Sequence, residues 1–185
     1  MNSRKRVSNA SYSTTIDIGA SVSKQVLWYF VNILFFKNSL NILSSLKTAL
    51  LKAFGARLGK GVIIKPSVNI KYPWKLQMGD YCWIGEEVWI DNLSELIIGS
   101  NVTISQGALL LTGSHDHTKE TFDFISKPIT LEDGVWIGAR ALVFGGVTCK
   151  SHSILGMNSV AERNLEEFTI YKGNPAIPVM ERNIY

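Results

Sequence analysis

From Leu58 onward the apolar residues of this chain recur every six positions, a spacing that neither a helix nor a simple alternating strand produces. Met78, Ile84 and Ile90 start the pattern most clearly. Ile98, Ile104 and Leu110 continue it, then Leu131, Ile137 and Val143, then Cys149, Leu155 and Ala161. Four places after each stands a mostly short residue, such as Cys82, Val88, Val102, Ala108, Val135, Ala141, Ser153 and Ser159, with Leu165 the bulky exception. Gly follows the leading aliphatic at 79, 85, 99, 138 and 156. The pattern predicts a parallel β-helix. Each hexad is one short strand and a turn, the aliphatic points inward, and Gly or a polar residue makes the bend. Three hexads close one triangular coil, and coils stack at about 4.8 Å.

The breaks in phase locate the loops. Coils begin at Leu58, Met78, Ile98, Leu131 and Cys149, so the spacings are 20, 20, 33 and 18 residues. Every insertion follows the third hexad of its coil: near Trp74, near Ser94, and from Thr112 to Pro128. All three excursions should therefore leave from one edge of the prism, and loops on a rigid scaffold are where function concentrates.

Charge divides the chain at the same place. Residues 1–60 hold nine Lys/Arg against the single acid Asp17, a balance of +8, and residues 61–185 hold ten against fourteen, a balance of −4. The most apolar run, Val26 to Phe36, has 11 residues and contains Asn32, too short to span a bilayer, which needs about 20. It also lacks the form of a signal peptide, which points to a cytoplasmic protein, peripheral at most. Residues 1–23 read as a loosely held arm. Leu43, Leu46, Leu50 and Phe54 mark the inner face of an amphipathic helix ending near Gly55. An open end of a β-helix exposes unpaired backbone groups, so this helix reads as a cap. The alternative is a membrane-surface or partner contact through Lys37, Lys47, Lys52 and Arg57. The division is thus a basic arm and helical cap (1–57), a β-helix (58–165) and a C-terminal tail (166–185). The basic residues are too dispersed for nucleic acid, and two cysteines cannot make a disulfide scaffold.

The segments LLLTGSHDH (109–117), GVWIGARALVFGGV (134–147), ILGMNSV (154–160) and YKGNPA (171–176), set among the hexads, resemble the hexapeptide-repeat O-acetyltransferases. The resemblance is to the colanic-acid biosynthesis type, related to the nodulation and sugar acetyltransferases. It implies an all-β fold, a left-handed parallel β-helix with a helical N-terminal cap. The left hand is an exception to the right-handed crossover rule, and the residues alone do not dictate it. The resemblance further implies a homotrimer with active sites between subunits, acetyl-CoA in the groove between prisms, and a sugar or lipid-linked saccharide acceptor. That acceptor would place the protein in the cytoplasm or at the inner face of a membrane.

Acetyl transfer to a hydroxyl needs a base for the hydroxyl proton and donors for the oxyanion. Histidine suits the first task. His115 matches the family's catalytic histidine. His117 is a candidate for positioning the acceptor, and His152, in a turn of the last coil, reads as structural. Asp91 shares a prism side with His115 one coil away, so its carboxylate is a candidate for holding the acceptor or the histidine. Its competing role is to cap a turn. Asp116 and Glu120 are candidates for orienting the imidazole. The family's asparagine upstream of the aspartate has no counterpart at Ile84–Glu86. By resemblance the cofactor-binding positions are Trp136, Ala139, Met157, Arg163, Gly173, Asn174 and Pro175, with Arg182 a further cation. Tyr72, Trp74, Trp83 and Trp89 suggest a sugar-stacking surface or subunit packing. Two other functions fit the hexads: a non-catalytic scaffold, and a zinc-dependent lyase of the carbonic anhydrase kind. The lyase would need three convergent histidines, which this spacing does not supply, so no metal is expected.

Overall fold

The computed structural model describes residues 6–12, 14 and 16–185. Among them, three sheets of parallel strands form the sides of a triangular prism, the second ending on an antiparallel strand, Ile177–Glu181. The first holds Arg57–Leu58, Leu76–Met78, Leu96–Ile98, Ile129–Leu131 and Thr148–Cys149. The second holds Ile63–Ile64, Trp83–Ile84, Thr103–Ile104, Trp136–Ile137 and Ile154–Leu155, and continues past Leu165 into Thr169–Lys172. The third holds Asn69–Ile70, Trp89–Asp91, Leu109–Leu111, Leu142–Phe144 and Val160–Ala161. Leu58, Met78, Ile98, Leu131 and Cys149 stand in register on the first sheet, and a bridge adds Leu165. The coil starts read from the hexads are therefore those of the fold. The leading aliphatics and the short residues four places on are both almost wholly buried.

The corners are built differently from the sequence expectation. Gly79, Gly99 and Gly138 do not make the bends. They sit where a Cβ would come within 2.8 Å of the backbone of the next coil, so they are demanded by stacking distance. The bends are made two places later by residues of positive φ, including Ser67, Tyr81, Glu87, Asn101, Arg140, His152 and Asn158. Each non-Gly residue there carries strain of about 1–2 kcal/mol, which the ladders on both sides hold in place. At Gly134 (φ 67°) the missing side chain leaves room for the ring of His152 in the next coil, which Phe168 covers at 4.8 Å. His152 is thus a corner-stacking residue.

The open rim of the first coil is closed by two helices, and side chains supply the missing hydrogen bonds. Ser21 caps α1 (Val22–Val31), accepting from Lys24 N at 3.3 Å, and one π turn (Asn32–Phe36) extends it. Trp28, Asn32 and Phe36 fall on one face and are buried, with Trp28 packed on Phe36 and Phe54 at 5.1 Å. Trp28 Nε1 donates to Ile70 O (2.8 Å), and Asn32 Nδ2 donates to Asn69 Oδ1 (2.7 Å). From α2 (Ser44–Ala53), Ser44 Oγ accepts from Ile64 N (2.8 Å) and Lys47 Nζ donates to Lys65 O (2.7 Å). Gly55 at φ 103° ends this helix where the pattern predicted. Its buried face differs from the expectation. Lys47 and Leu51 are fully buried, whereas Leu43 and Leu46 face outward, because the rim needs a donor as well as apolar cover. Lys47 therefore cannot serve as a contact cation.

Two measurements test the rim. Asn32→Leu adds apolar surface but strips the Asn69 side chain of a partner, and should destabilise the fold by about 1–3 kcal/mol in urea unfolding; a neutral or stabilising result would remove the rim role. For Lys47, burial pushes the ammonium pKa below its ordinary value. The unfolded chain then holds that proton to higher pH than the folded chain does. Wild-type stability should therefore rise relative to Lys47→Met as pH climbs towards the ordinary lysine value of about 10.4. A pH-independent difference would overturn the burial assignment.

Candidate functional site

The excursion after the third coil is a two-stranded antiparallel hairpin, Gly113–His115 against Phe124–Ser126, with His115 opposite Phe124. Its loop is closed by Asp116, whose N–H donates to Asp123 O (2.8 Å) and whose carboxylate accepts from Thr118 Oγ1 (2.6 Å) and Thr118 N (3.1 Å). The Thr118 hydroxyl is the main reason the Asp116 carboxyl lies below its usual range. Lys119 pairs with Asp123 at 3.1 Å, an interaction that raises the lysine pKa. Asp116 therefore shapes the loop and leaves the imidazole to other groups.

Those groups are aromatic rings and a carbonyl. The His115 ring stacks on Phe122 (4.3 Å, 4° between planes) and meets Phe124 edge-on at 5.3 Å. His115 Nδ1 lies 3.0 Å from Phe122 O. A carbonyl can only accept, so Nδ1 carries the proton and Nε2 keeps its lone pair. Phe122 adopts φ 50°, a strained conformation for an aromatic residue, and in doing so aims its carbonyl at the ring. His117 is exposed two residues on. Glu120 accepts from Ser8 N at its backbone carbonyl (2.9 Å), and the Tyr12 ring lies 6.0 Å from that of His115. Further along the arm, Ile18 O accepts from Trp74 Nε1 (2.7 Å) and Asp17 O from Lys75 Nζ (2.6 Å). The described part of the N-terminal arm thus follows the loop-bearing edge, where the sequence suggested a loose segment; residues 1–5, 13 and 15 lie outside the described residues.

Asp91 ends its strand in register with Leu111. Its Oδ1 is buried 2.8 Å from Lys71 Nζ, a charge partner, with no hydrogen-bond donor aligned on it. It lines a cleft of about 520 Å³ between α1 and the third sheet, with Lys71, Tyr72 and Trp89 beneath and Val26 and Tyr29 above. His115 lines no part of that cleft. Asp91 and His115 share an edge, but the carboxylate answers to Lys71.

A second groove, about 620 Å³, runs along the corner between the second and third sheets over coils three to six. Corner residues Ser105–Gln106, Gly138–Ala139, Gly156–Met157 and Lys172–Gly173 form its floor. Trp136, with Nε1 bonded to Ser105 Oγ at 2.9 Å, Ile154 and Ile170 form an apolar wall. Trp136, Ala139, Met157 and Gly173 are thus brought together, and Asn174 and Pro175 continue the turn from Gly173. Arg163 is exposed and lines no part of the groove, and Arg182 is spent elsewhere: its Nη1 donates to Gly134 O (2.8 Å) and His152 O (3.0 Å), stapling the tail. The cation that the groove does hold is Lys172. It stands inside the YKGNPA segment, so the signal was present in the motif.

The aromatic residues at 72, 74, 83 and 89 do not make one platform. Tyr72 and Trp74 stack on each other at 5.0 Å beneath Lys24, whereas Trp83 and Trp89 are exposed on different sides of the prism. Both cysteines are buried and unpaired, and burial pushes the Cys149 thiol up to about 12, so neither offers a nucleophile. Among the described residues, no three His, Cys, Asp or Glu side chains cluster as a metal site requires.

No protein-family model matches the chain. Over 164 residues it is 38% identical to the putative colanic acid biosynthesis acetyltransferase of Escherichia coli K12, a match covering 89% of this chain and 90% of that protein. Over 140 residues it is 26% identical to the galactoside O-acetyltransferase of the same organism, covering 74% and 69%. The crystal structure of a hexapeptide-repeat acetyltransferase from Vibrio cholerae, complexed with acetyl coenzyme A, has the same fold, with a TM-score of 0.79 at 22% identity over 90% of this chain and 92% of that one. With such a relative matched along nearly the whole of both sequences, on a coil-by-coil hexad solenoid, the chain belongs to the hexapeptide-repeat acetyltransferase family and is an acyltransferase.

Proposed function

We propose that this enzyme transfers an acetyl group from acetyl-CoA to a saccharide hydroxyl in exopolysaccharide or capsule synthesis, with His115 as the general base. The observation that carries this reading is the Phe122 carbonyl on His115 Nδ1, which leaves Nε2 as the basic atom on an accessible hairpin. Nε2 takes the proton from the acceptor hydroxyl as its oxygen attacks the thioester carbonyl. The tetrahedral intermediate collapses, the C–S bond breaks, and the imidazolium returns the proton to the departing CoA thiolate. The products are the acetyl ester and CoA.

The corner groove fits the donor. Its glycine-rich floor admits an extended chain close to the backbone, its apolar wall suits a pantetheine arm, and Lys172 offers a cation to a phosphate. Trp136, Ala139, Met157, Gly173, Asn174 and Pro175 fill cofactor-binding roles in this reading, and Arg163 would act only by reaching in from outside. The acceptor is a sugar, free or lipid-linked, handled from the cytoplasm at the inner face of a membrane. Asp91, which lines the cleft beneath α1 and is paired with Lys71, and the exposed His117 are its positioning groups in this reading.

The hairpin leaves the corner between the third and first sheets, whereas the groove follows the corner between the second and third. The base and the thioester therefore meet only if a second copy brings its groove to this copy's hairpin. A homotrimer with three shared sites supplies that arrangement.

Two experiments test the reading. His115→Ala should lower acetyl-CoA turnover, read by thiol release with nucleotide-sugar and lipid-linked acceptors, by about 10²–10⁴-fold while CoA binding stays intact; retained turnover would remove the assigned base. Mixing His115→Ala subunits with Ala139→Trp subunits, each inactive alone, should restore part of the turnover, because some shared sites then combine an intact hairpin with an intact groove. No recovery on mixing, with subunit exchange verified, would place both halves of the site in one chain.

A further inference from the structure

Among the described residues, the outward face of the helical cap has no partner. While Trp28, Asn32 and Phe36 grip the prism, Leu27, Phe30 and Leu34 repeat on the opposite side, and each is more than half exposed. The chain then turns through residues 37–43, where Leu40 is 87% and Ile42 74% exposed. This turn is an exposed, largely apolar tip beside the exposed Lys37. Exposed aliphatic residues in a contiguous run of this kind mark a contact surface rather than ordinary scatter. We propose that α1 and the 37–43 tip dock this enzyme on an anionic phospholipid bilayer, with Leu40 and Ile42 entering the headgroup boundary and α1 lying in the plane of the surface.

Charge and shape select the lipid surface over other occupants. Lys37 borders the tip, and Lys52 at the far end of α2 and Arg57 and Lys60 on the first coil are exposed as well. The only acid in residues 1–60, Asp17, has its carboxylate bonded to Gly19 N at 2.8 Å. An apolar tip flanked by Lys37 on the basic end of the molecule complements anionic headgroups over hydrocarbon. Pairing this face with the same face of a second copy would set cations against cations. No described helix is long and apolar enough to cross a membrane. The 15 residues from Val22 to Phe36 give a rod of about 22 Å that lies on the surface. Phe30 and Lys37 also line the Asp91 cleft, but Leu40 and Ile42 line neither that cleft nor the corner groove, so variants at these two positions test the proposal apart from the acetyl-transfer reading.

Flotation of the full-length protein with phosphatidylcholine vesicles, with and without about a third phosphatidylglycerol, tests it. Recovery with the anionic vesicles should exceed that with neutral ones by about tenfold and fall at high salt. Leu40→Glu with Ile42→Glu should lose about tenfold of that recovery, and Leu40→Ser with Ile42→Ser should lose less. Circular dichroism and acetyl-CoA binding should match wild type in both. Equal recovery with neutral and anionic vesicles, or undiminished binding by the glutamate variant, overturns the proposal. If the glutamate variant instead changes the assembly mass by light scattering, the face is an interface between copies, and the proposal fails.

Discussion

Apart from tight-turn bonds such as Ala141 N to Gly138 O, the backbone hydrogen bonds of this parallel β-helix run between coils. Each strand N–H and C=O is satisfied by the coil above or below, as in the run Gly59 N to Met78 O, Gly79 N to Ile98 O and Gly99 N to Leu131 O. Strands of two or three residues are tolerable only because the stack is continuous, and the stack must end somewhere. The first coil ends on α1 and α2, and Trp28, Asn32, Ser44 and Lys47 stand in for the coil that is not there. An asparagine in the middle of VLWYFVNILFF and a lysine on the inner face of an amphipathic helix both follow from this requirement. A purely apolar cap would leave the rim's polar groups buried and unpaired, at about 1–3 kcal/mol each.

The same constraint explains how the cap can have two faces. Its inner face is dictated by the rim, so its outer face is free to be apolar, and the tip at Leu40 and Ile42 extends beyond anything the rim requires. Of the described basic residues in the first 60, Lys37, Lys52, Arg57 and Lys60 are exposed, whereas Lys47 is buried on the rim and Lys24 lies over the Trp74 ring. The acidic prism and the basic cap are therefore separate electrostatic bodies in one chain.

Much of the fold was legible in the hexads, because a six-residue period with inward aliphatics has few other physical realisations. The coil starts, the single loop-bearing edge and the end of α2 at Gly55 all followed from spacing. The corners did not. Tyr81, Glu87 and Arg140 hold positive φ without being glycine, and nothing in their side chains announces it; the demand comes from the coils stacked on either side. The hand of the helix is equally absent from the spacing. At the candidate site the motifs pointed to His115 and to four residues of the groove. They did not reveal the Phe122 carbonyl, which depends on one strained residue in the loop, or the Tyr12 ring, which arrives from far away in sequence. Arg182 was misleading for a physical reason: a guanidinium near the end of the chain suggests a phosphate, but two corner carbonyls needed it more.

The placement of chemistry at corners also follows from the stack. On the flat sides the backbone is committed to the ladder, so a residue inserted there would shift every hydrogen bond beyond it. At the corner between the third and first sheets an insertion changes only where the chain re-enters, provided the excursion holds itself. These excursions do so by bonding to one another: Tyr72 N to Asn92 Oδ1, Ser94 N to Thr112 Oγ1, and Lys127 N to Thr112 O. Gly145 lets the last of them approach closely, since a Cβ there would come 2.5 Å from Thr112 O. The hairpin that carries His115 therefore stands on a hydrogen-bonded spine rather than swinging freely. The groove at the next corner has no such loop and is shaped by the rigid coil turns themselves. One corner presents a side chain on a projecting hairpin, and the other presents a channel of coil turns walled by strand side chains such as Trp136. Acyl transfer needs both, and a straight prism cannot bend one corner round to the other. The architecture that makes each half rigid also holds the halves on separate corners, which is why the proposed reaction takes its second half from another copy.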